Sequence, residues 1–178
     1  MSTHEGWEAL RRLTRARVGL GRAGDGLPTG ELLGFQMAHA KARDAVHGRV
    51  DFDGVAAALP AREVIAVTSA APDRATYLRR PDLGRRLAEG EAAKLPAGPY
   101  DVVFVVADGL SAAAVEAHAA ATVTATLARL ADLAIGPIVL ARQGRVALGD
   151  EIGAAMAARL VVVVLGERPG LSAAASLG

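Results

Sequence analysis

Residues able to do chemistry in this sequence collect directly behind apolar runs. The stretch "ARQGRVALGDEIG", residues 141–153, sets Arg142, Arg145, a glycine turn and an acidic pair behind "PIVL". The stretch "LVVVVLGERPGL" likewise ends its apolar run in Gly166, Glu167 and Arg168. A buried strand running straight into a carboxylate and a guanidinium suits ion pairing or ligand binding. The carboxylate accepts from amide N–H groups, and the guanidinium fork pairs with planar anions as lysine does not. In open parallel sheets, ligands bind outside the carboxyl ends of the strands, where the strand order reverses. At the ends of the strands read below stand Ser69 and Asp73, then Asp108, Gly109 and Ser111, then Arg142, Arg145 and Val146, then Gly166, Glu167 and Arg168. We expect the last two groups to be rims of one site for a large cofactor. Every βα turn also needs polar residues and a helix cap, so Ser111, behind a tight "DG" turn, suits an N-cap as well as it suits a ligand.

Several other chemistries lack their residues. His4, His39, His47 and His118 have no metal-ligand spacing, and the absence of cysteine excludes disulfides and thiolate metal sites. There is no GxxxxGK[ST] to cradle a triphosphate and no GxSxG, and Ser111 has no sequence-visible His partner. "GLGRAG" (Gly19, Gly21, Gly24) matches GxGxxG, but no strand precedes it, so we read it as a chance match in a glycine-rich loop. "TYLRRPDLGRRL" carries Arg79, Arg80, Arg85 and Arg86, with Pro81 and Asp82 placed to start a helix. It reads as a solvated basic face or as a docking surface for an acidic partner or a phosphate. No catalytic and no metal-ligating residue is assigned. The residues alone support a ligand-binding α/β domain and little else; if the protein belongs to an enzyme, it would supply half of a cofactor cleft while another chain carries the reacting groups.

These residues need a scaffold, and the pattern supplies one. The chain has 178 residues, 52% of them hydrophobic and 3% aromatic, so its core is built from Ala, Val, Leu and Ile. A formal charge of +1 gives no general attraction to nucleic acid or anionic lipid. The start has no secretory apolar region, and the longest apolar runs fall far short of the roughly 18 residues of a spanning helix. We therefore expect a soluble, cytoplasmic protein that binds neither nucleic acid nor membrane. Residues 1–61 read as a helical N-terminal region: "GWEALRRLTRARV", then a helix with Thr29 as N-cap and Gly48 as stop, then a short helix over Val55–Leu59. Leu32, Phe35, Ala38 or His39, Ala42 and Val46 give the second helix an amphipathic stripe. Residues 62–178 alternate "EVIAVT", "DVVFVVA", "PIVLA" and "LVVVVL" with helical segments. Runs apolar on both faces, separated by helices, predict a doubly wound, mostly parallel, Rossmann-like α/β sheet. The regular alternation calls for one more helix after the fourth strand, so we expect this domain to be C-terminally incomplete.

On these motifs the chain resembles the light chain of ethanolamine ammonia-lyase. The resemblance is carried by "LRRLTRARVGLGRAGDGLPTGELLGFQMAHAKARDAVH", "SAAPDRATYLRRPDLGRRL", "VVADGLSAAAVEAHA" and "PIVLARQGRVALGDEIGAAMAARLVVVVLGERPGLS", in that order from Trp7 to Gly178. It implies the small subunit of an adenosylcobalamin-dependent lyase that converts ethanolamine to acetaldehyde and ammonia by radical chemistry. The partner would be a large (β/α)-barrel subunit holding the substrate, in a higher oligomer of heterodimers, with the light chain closing over the cofactor. The family's cobalamin contacts fall on Val146 and Glu167; Arg145 and Arg168 are assigned to the cofactor phosphate or to the other subunit. A third family contact, a cysteine in an Asn-Cys-Ile-Ser-Asn segment, would lie past Gly178. Packaging in a microcompartment has no N-terminal extension to support it. Two alternatives stand beside this reading: a non-catalytic cobalamin- or nucleotide-binding α/β module, and an inactive remnant that still pairs with its large subunit. There is no DxHxxG motif of the mutase type, which favours the lyase.

Overall fold

The stretch "VVFVVA" decides the architecture. All six residues of β2 (Val102–Ala107) are buried, which requires cover on both faces. Val102, Phe104 and Val106 pack with α3 (Phe52–Ala58) and α5 (Ala112–Leu127). Val103, Val105 and Ala107 pack with α6 (Leu148–Met156). Each fully buried valine of this kind contributes about 1.5–3 kcal/mol relative to exposure. β1 (Val64–Thr68), β3 (Ile138–Arg142) and β4 (Leu160–Leu165) complete a sheet of order β1-β3-β2-β4. All three pairings are parallel. The computed structural model describes residues 3–14, 16–173 and 175–178. It also contains α1 (Thr3–Leu13), α2 (Thr29–His47), α4 (Arg74–Arg79) and two 3-10 turns, Leu83–Arg85 and Glu91–Lys94.

The strand order locates the site. The β1-to-β2 and β3-to-β4 connections step the same way along the sheet and cover the same face, through Leu87, Leu95 and α6. The β2-to-β3 connection steps back and covers the other face with α5. One crossover hand demands this arrangement. As a result the chain leaves the neighbouring strands β2 and β3 toward opposite faces, and a crevice opens between their carboxyl ends. The α/β class and the four strands agree with the sequence reading.

Local details depart from it. Pro28, not Thr29, caps α2, and no side chain bonds there; Leu32 N–H donates to the Pro28 carbonyl instead. The stripe on α2 is not core: Leu32 and Phe35 are 41% and 40% exposed, and Ala45 is the helix's buried residue. Pro81 starts no regular helix. α4 precedes it, capped by Asp73, and only the turn Leu83–Arg85 follows. A residue before proline is pushed out of the α region, and Arg80 at φ −122°, ψ 77° ends α4 there. The short helix begins at Phe52, where the Asp51 carboxylate accepts from Gly54 N–H. α6 stops at Met156 because Ala157 adopts a left-handed conformation. After β4 the chain turns back, and Leu165 and Gly178 exchange backbone hydrogen bonds of 2.9 and 3.0 Å.

Candidate cofactor-binding site

The crevice between β2 and β3 is closed at its base by one carboxylate. Asp108, the residue after β2, accepts from Gln143 N–H at 2.9 Å and from Gly144 N–H at 3.0 Å. It thereby holds the turn that leaves β3, in which Gln143 sits at φ 54°. Arg74 at the start of α4 faces the same carboxylate, Nη1 to Oδ2 at 3.6 Å, and both side chains are buried. The Arg74 Nη1 donates to the Gly109 carbonyl at 2.8 Å and its Nε to the Val46 carbonyl at 2.7 Å. Burial pushes the Asp108 carboxyl above its ordinary range, against the Gln143 N–H and the Arg74 charge. Burial likewise pulls the Arg74 guanidinium down, against the Asp108 charge.

Tyr77, one turn along α4, continues the arrangement. Its hydroxyl donates to the Gly144 carbonyl at 3.1 Å. The guanidiniums of Arg74 and Arg145 lie over its ring at 4.9 and 4.6 Å from the centroid. Burial, with the negative charge of Asp108 adding to it, pushes the phenol up to about 12, so it remains a neutral donor at physiological pH. Arg145 is fixed at both ends. Its N–H donates to the Gly84 carbonyl and its Nη2 to the Tyr77 carbonyl, while Nε is buried without a partner.

On the outer side of this ladder lies an open cavity of about 410 Å³. Its wall includes Tyr77, Arg145, Val146, Leu165, Glu167 and Arg168. The structure therefore brings all four sequence-predicted residues, Val146, Glu167, Arg145 and Arg168, to one cavity at the carboxyl ends of β3 and β4. Val146 projects an exposed apolar side chain, 60% accessible, at its lip. Glu167 is exposed; its carboxylate accepts from the Ser176 hydroxyl at 3.2 Å and its N–H donates to the Ser176 carbonyl. The β4 end is held close by glycine. Leu110 N–H donates to the Gly166 carbonyl at 2.6 Å, and a Cβ on Gly166 would fall on the Ser111 backbone.

The other strand-end residues do structural work. Ser111 caps α5 through Ala114 N–H, Asp73 caps α4 through Thr76 N–H at 2.7 Å, and Ser69 accepts from Ala71 N–H. Arg142 lies over Phe52 on the far side of the switch point. The glycines of "GLGRAG" lie in a loop with positive φ at all three positions, and no strand precedes them. Sequence reasoning missed Tyr77, Arg74, Leu110 and Gln143 as parts of the site region. The one available signal was "DRAT", whose Asp and Thr three residues apart mark the start of α4. Among the described residues, no group of three or more His, Asp or Glu could hold a metal ion, and no helix is long and apolar enough to cross a membrane.

Comparison with known proteins now bears on this geometry. The family model described as ethanolamine ammonia-lyase light chain (EutC) matches residues 4–178. The ethanolamine ammonia-lyase small subunit of Ralstonia nicotianae is 49% identical, covering 99% of this chain and 69% of the relative. Those of Pseudomonas putida (50% identical, 97% of this chain, 67% of the relative) and Azotobacter vinelandii (49%, 99% and 69%) are similar. The chain thus spans about two thirds of the length of these relatives. By the extent of the match and by these identities, the chain belongs to the ethanolamine ammonia-lyase light-chain family.

Proposed function

We propose that this chain is the small subunit of an adenosylcobalamin-dependent ethanolamine ammonia-lyase, and that its open cavity forms the light-chain wall of the cofactor cleft. The observation that carries the proposal is the convergence of Val146, Glu167, Arg145 and Arg168 on one cavity in a member of this family. The chemistry of the wall fits the group. Leu110, Val146 and Leu165 offer apolar contact to a flat ring, and the Glu167 carboxylate can accept from rim amides. The buried, unpartnered Arg145 Nε suits an acceptor oxygen. When bound, adenosylcobalamin supplies the carbon-centred radical that abstracts a substrate hydrogen.

The residues of this chain bind and shield. An apolar lip excludes water from a reactive species, as radical chemistry requires. Arg145, pinned by Tyr77 and Gly84, presents its guanidinium in a fixed orientation. Substrate contacts and the groups that handle ammonia belong in this reading to the large subunit, with heterodimers assembling further in the cytoplasm.

The test is acetaldehyde release from ethanolamine after mixing this chain with a purified large subunit and adenosylcobalamin, with a full-length small subunit as control. Activity from this chain supports the lyase reading. Activity in the control alone, with this chain still co-eluting with the large subunit, makes the chain an insufficient subunit of the same enzyme. Activity in the control with no association of this chain refutes the subunit reading and favours a stand-alone cobalamin- or nucleotide-binding module.

A further inference from the structure

Behind the Arg74–Asp108 pair lies a second, smaller cleft of about 180 Å³. Its wall includes Arg49, Phe52, Arg74, Asp108, Arg142 and Gln143. Two of the lining residues carry a buried polar atom without a hydrogen-bond partner: Arg74 Nη2, a donor, and Gln143 Oε1, an acceptor. Arg74 is 7% exposed and its other nitrogens are committed to Val46, Gly109 and Asp108. Gln143 is held at its positive φ by the Asp108 carboxylate on its own N–H. An unmet buried donor or acceptor costs about 1–3 kcal/mol, and native proteins keep few of them.

The polarity of the pair selects the ligand. An anion would satisfy Arg74 but would lie beside Asp73 and Asp108 and leave Gln143 Oε1 unmet. A cation would meet three guanidiniums, those of Arg49, Arg74 and Arg142. A neutral group carrying one acceptor and one donor meets both orphan atoms. We propose that this cleft takes a primary carboxamide, with Arg74 Nη2 donating to its carbonyl oxygen and Gln143 Oε1 accepting from its NH2. Resting on the function proposed above, the carboxamide is one of those on the corrin rim. Both cavities flank one turn. Gln143 lines the small one and Val146 the large one, and three residue steps span at most about 11 Å, so a single cofactor can reach both.

The experiment is equilibrium dialysis of cobalamin against the complex of this chain with its large subunit. Wild type, Gln143→Met and Arg74→Lys are compared, each checked by circular dichroism and by co-elution. The ligands are cobalamin and its derivatives with one peripheral amide hydrolysed to a carboxylate. We expect Gln143→Met to weaken cobalamin about tenfold, the loss of one buried hydrogen bond. One derivative should bind wild type at least tenfold more weakly than cobalamin does, and that penalty should vanish in Gln143→Met. Arg74→Lys, which keeps the charge facing Asp108, should also weaken cobalamin but should leave the derivative's penalty in place, because Gln143 Oε1 still faces the carboxylate. Unchanged binding by Gln143→Met, or a penalty that no variant relieves, overturns the carboxamide assignment while the cofactor reading survives. Competition by inorganic phosphate at this cleft, lost in Arg74→Lys, would mark an anion site and also overturn it. No cobalamin binding by wild type overturns both.

Discussion

Replacing Asp108 by alanine tests the logic of the switch point most directly. The substitution removes an acceptor from Gln143 N–H and Gly144 N–H, bonds of 2.9 and 3.0 Å. It also leaves the buried Arg74 guanidinium without its carboxylate. An unmet N–H costs about 1–3 kcal/mol, and breaking a buried pair by removing one partner costs about 3–5 kcal/mol. These losses overlap, so we expect a total near 4 kcal/mol, a large part of the roughly 5–15 kcal/mol that holds a domain folded. Asp108→Asn should cost less, about 2 kcal/mol, because it keeps one acceptor oxygen while turning an NH2 against the second donor. The desolvation that raises the Asp108 carboxyl already offsets part of the charge–charge gain. The assay is urea unfolding followed by far-UV circular dichroism with linear extrapolation. Hydrogen exchange at the Gln143 and Gly144 amides is the local readout, and both should lose protection. Arg74→Met combined with Asp108→Ala should cost at least about 1 kcal/mol less than the sum of the single changes. A cost below about 1 kcal/mol for Asp108→Ala, or strict additivity in the double variant, refutes the reasoning.

Three further outcomes are expected. Tyr77→Phe deletes the donor to the Gly144 carbonyl and should cost about 1 kcal/mol in thermal or urea unfolding. Because the Tyr77 pKa is raised from 10.0 to about 12, its contribution is fully present below pH 10 and is lost as pH rises through 12. A tyrosinate absorbance titration should show a late step that Tyr77→Phe abolishes. Arg80 donates to both oxygens of Asp82 at 2.9 and 2.6 Å, holding that carboxyl at about 2. The pair's contribution is present above pH 3.8 and lost as pH falls through about 2; Arg80→Ala should raise the carboxyl toward its ordinary range in an NMR titration. Being solvent-exposed, the pair should leave neutral-pH stability almost unchanged. Gly166→Ala would set a Cβ within 2.8 Å of the Ser111 backbone C and N and should cost about 3 kcal/mol or more. Gly170→Ala, with nothing nearer than 4.0 Å, is the control and should unfold like wild type.

The strands were legible because burial on both faces leaves runs such as "VVFVVA" with no polar residue, and their polar ends followed at once. That placed Val146 and Glu167 on the rim of a site; singling them out as cofactor contacts came from the family resemblance and not from the strand pattern. Strand order was not legible. Nothing in "EVIAVT" or "PIVLA" says that β3 inserts between β1 and β2; crossover lengths and the packing of α5 and α6 decide it. Arg74, Tyr77 and Gln143 escaped for the same reason, since their roles arise when α4 is laid against strand ends far away in sequence. Pro81 misled because proline suits a helix start, yet here it ends the helix before it. The α2 stripe was visible as periodicity, but periodicity records that a face is apolar and says nothing of what covers it.

The hydrogen bonding of the Gln143–Val146 turn has a consequence for how this fold can change in length. Its backbone groups are tied to Asp108, to Gly84 and to the Tyr77 hydroxyl, on three separate stretches of the chain. One inserted residue would displace the donors by up to about 3.6 Å, beyond hydrogen-bond reach of all three partners at once. The turn therefore cannot accept new chain, and Gly144 within it has no room for a side chain, since a Cβ there would lie 2.9 Å from the Ala107 Cβ. Residues 19–28 contrast with this turn, because their backbone bonds run between close neighbours: Ala23 and Gly26 to each other, and the Pro28 carbonyl to Leu32.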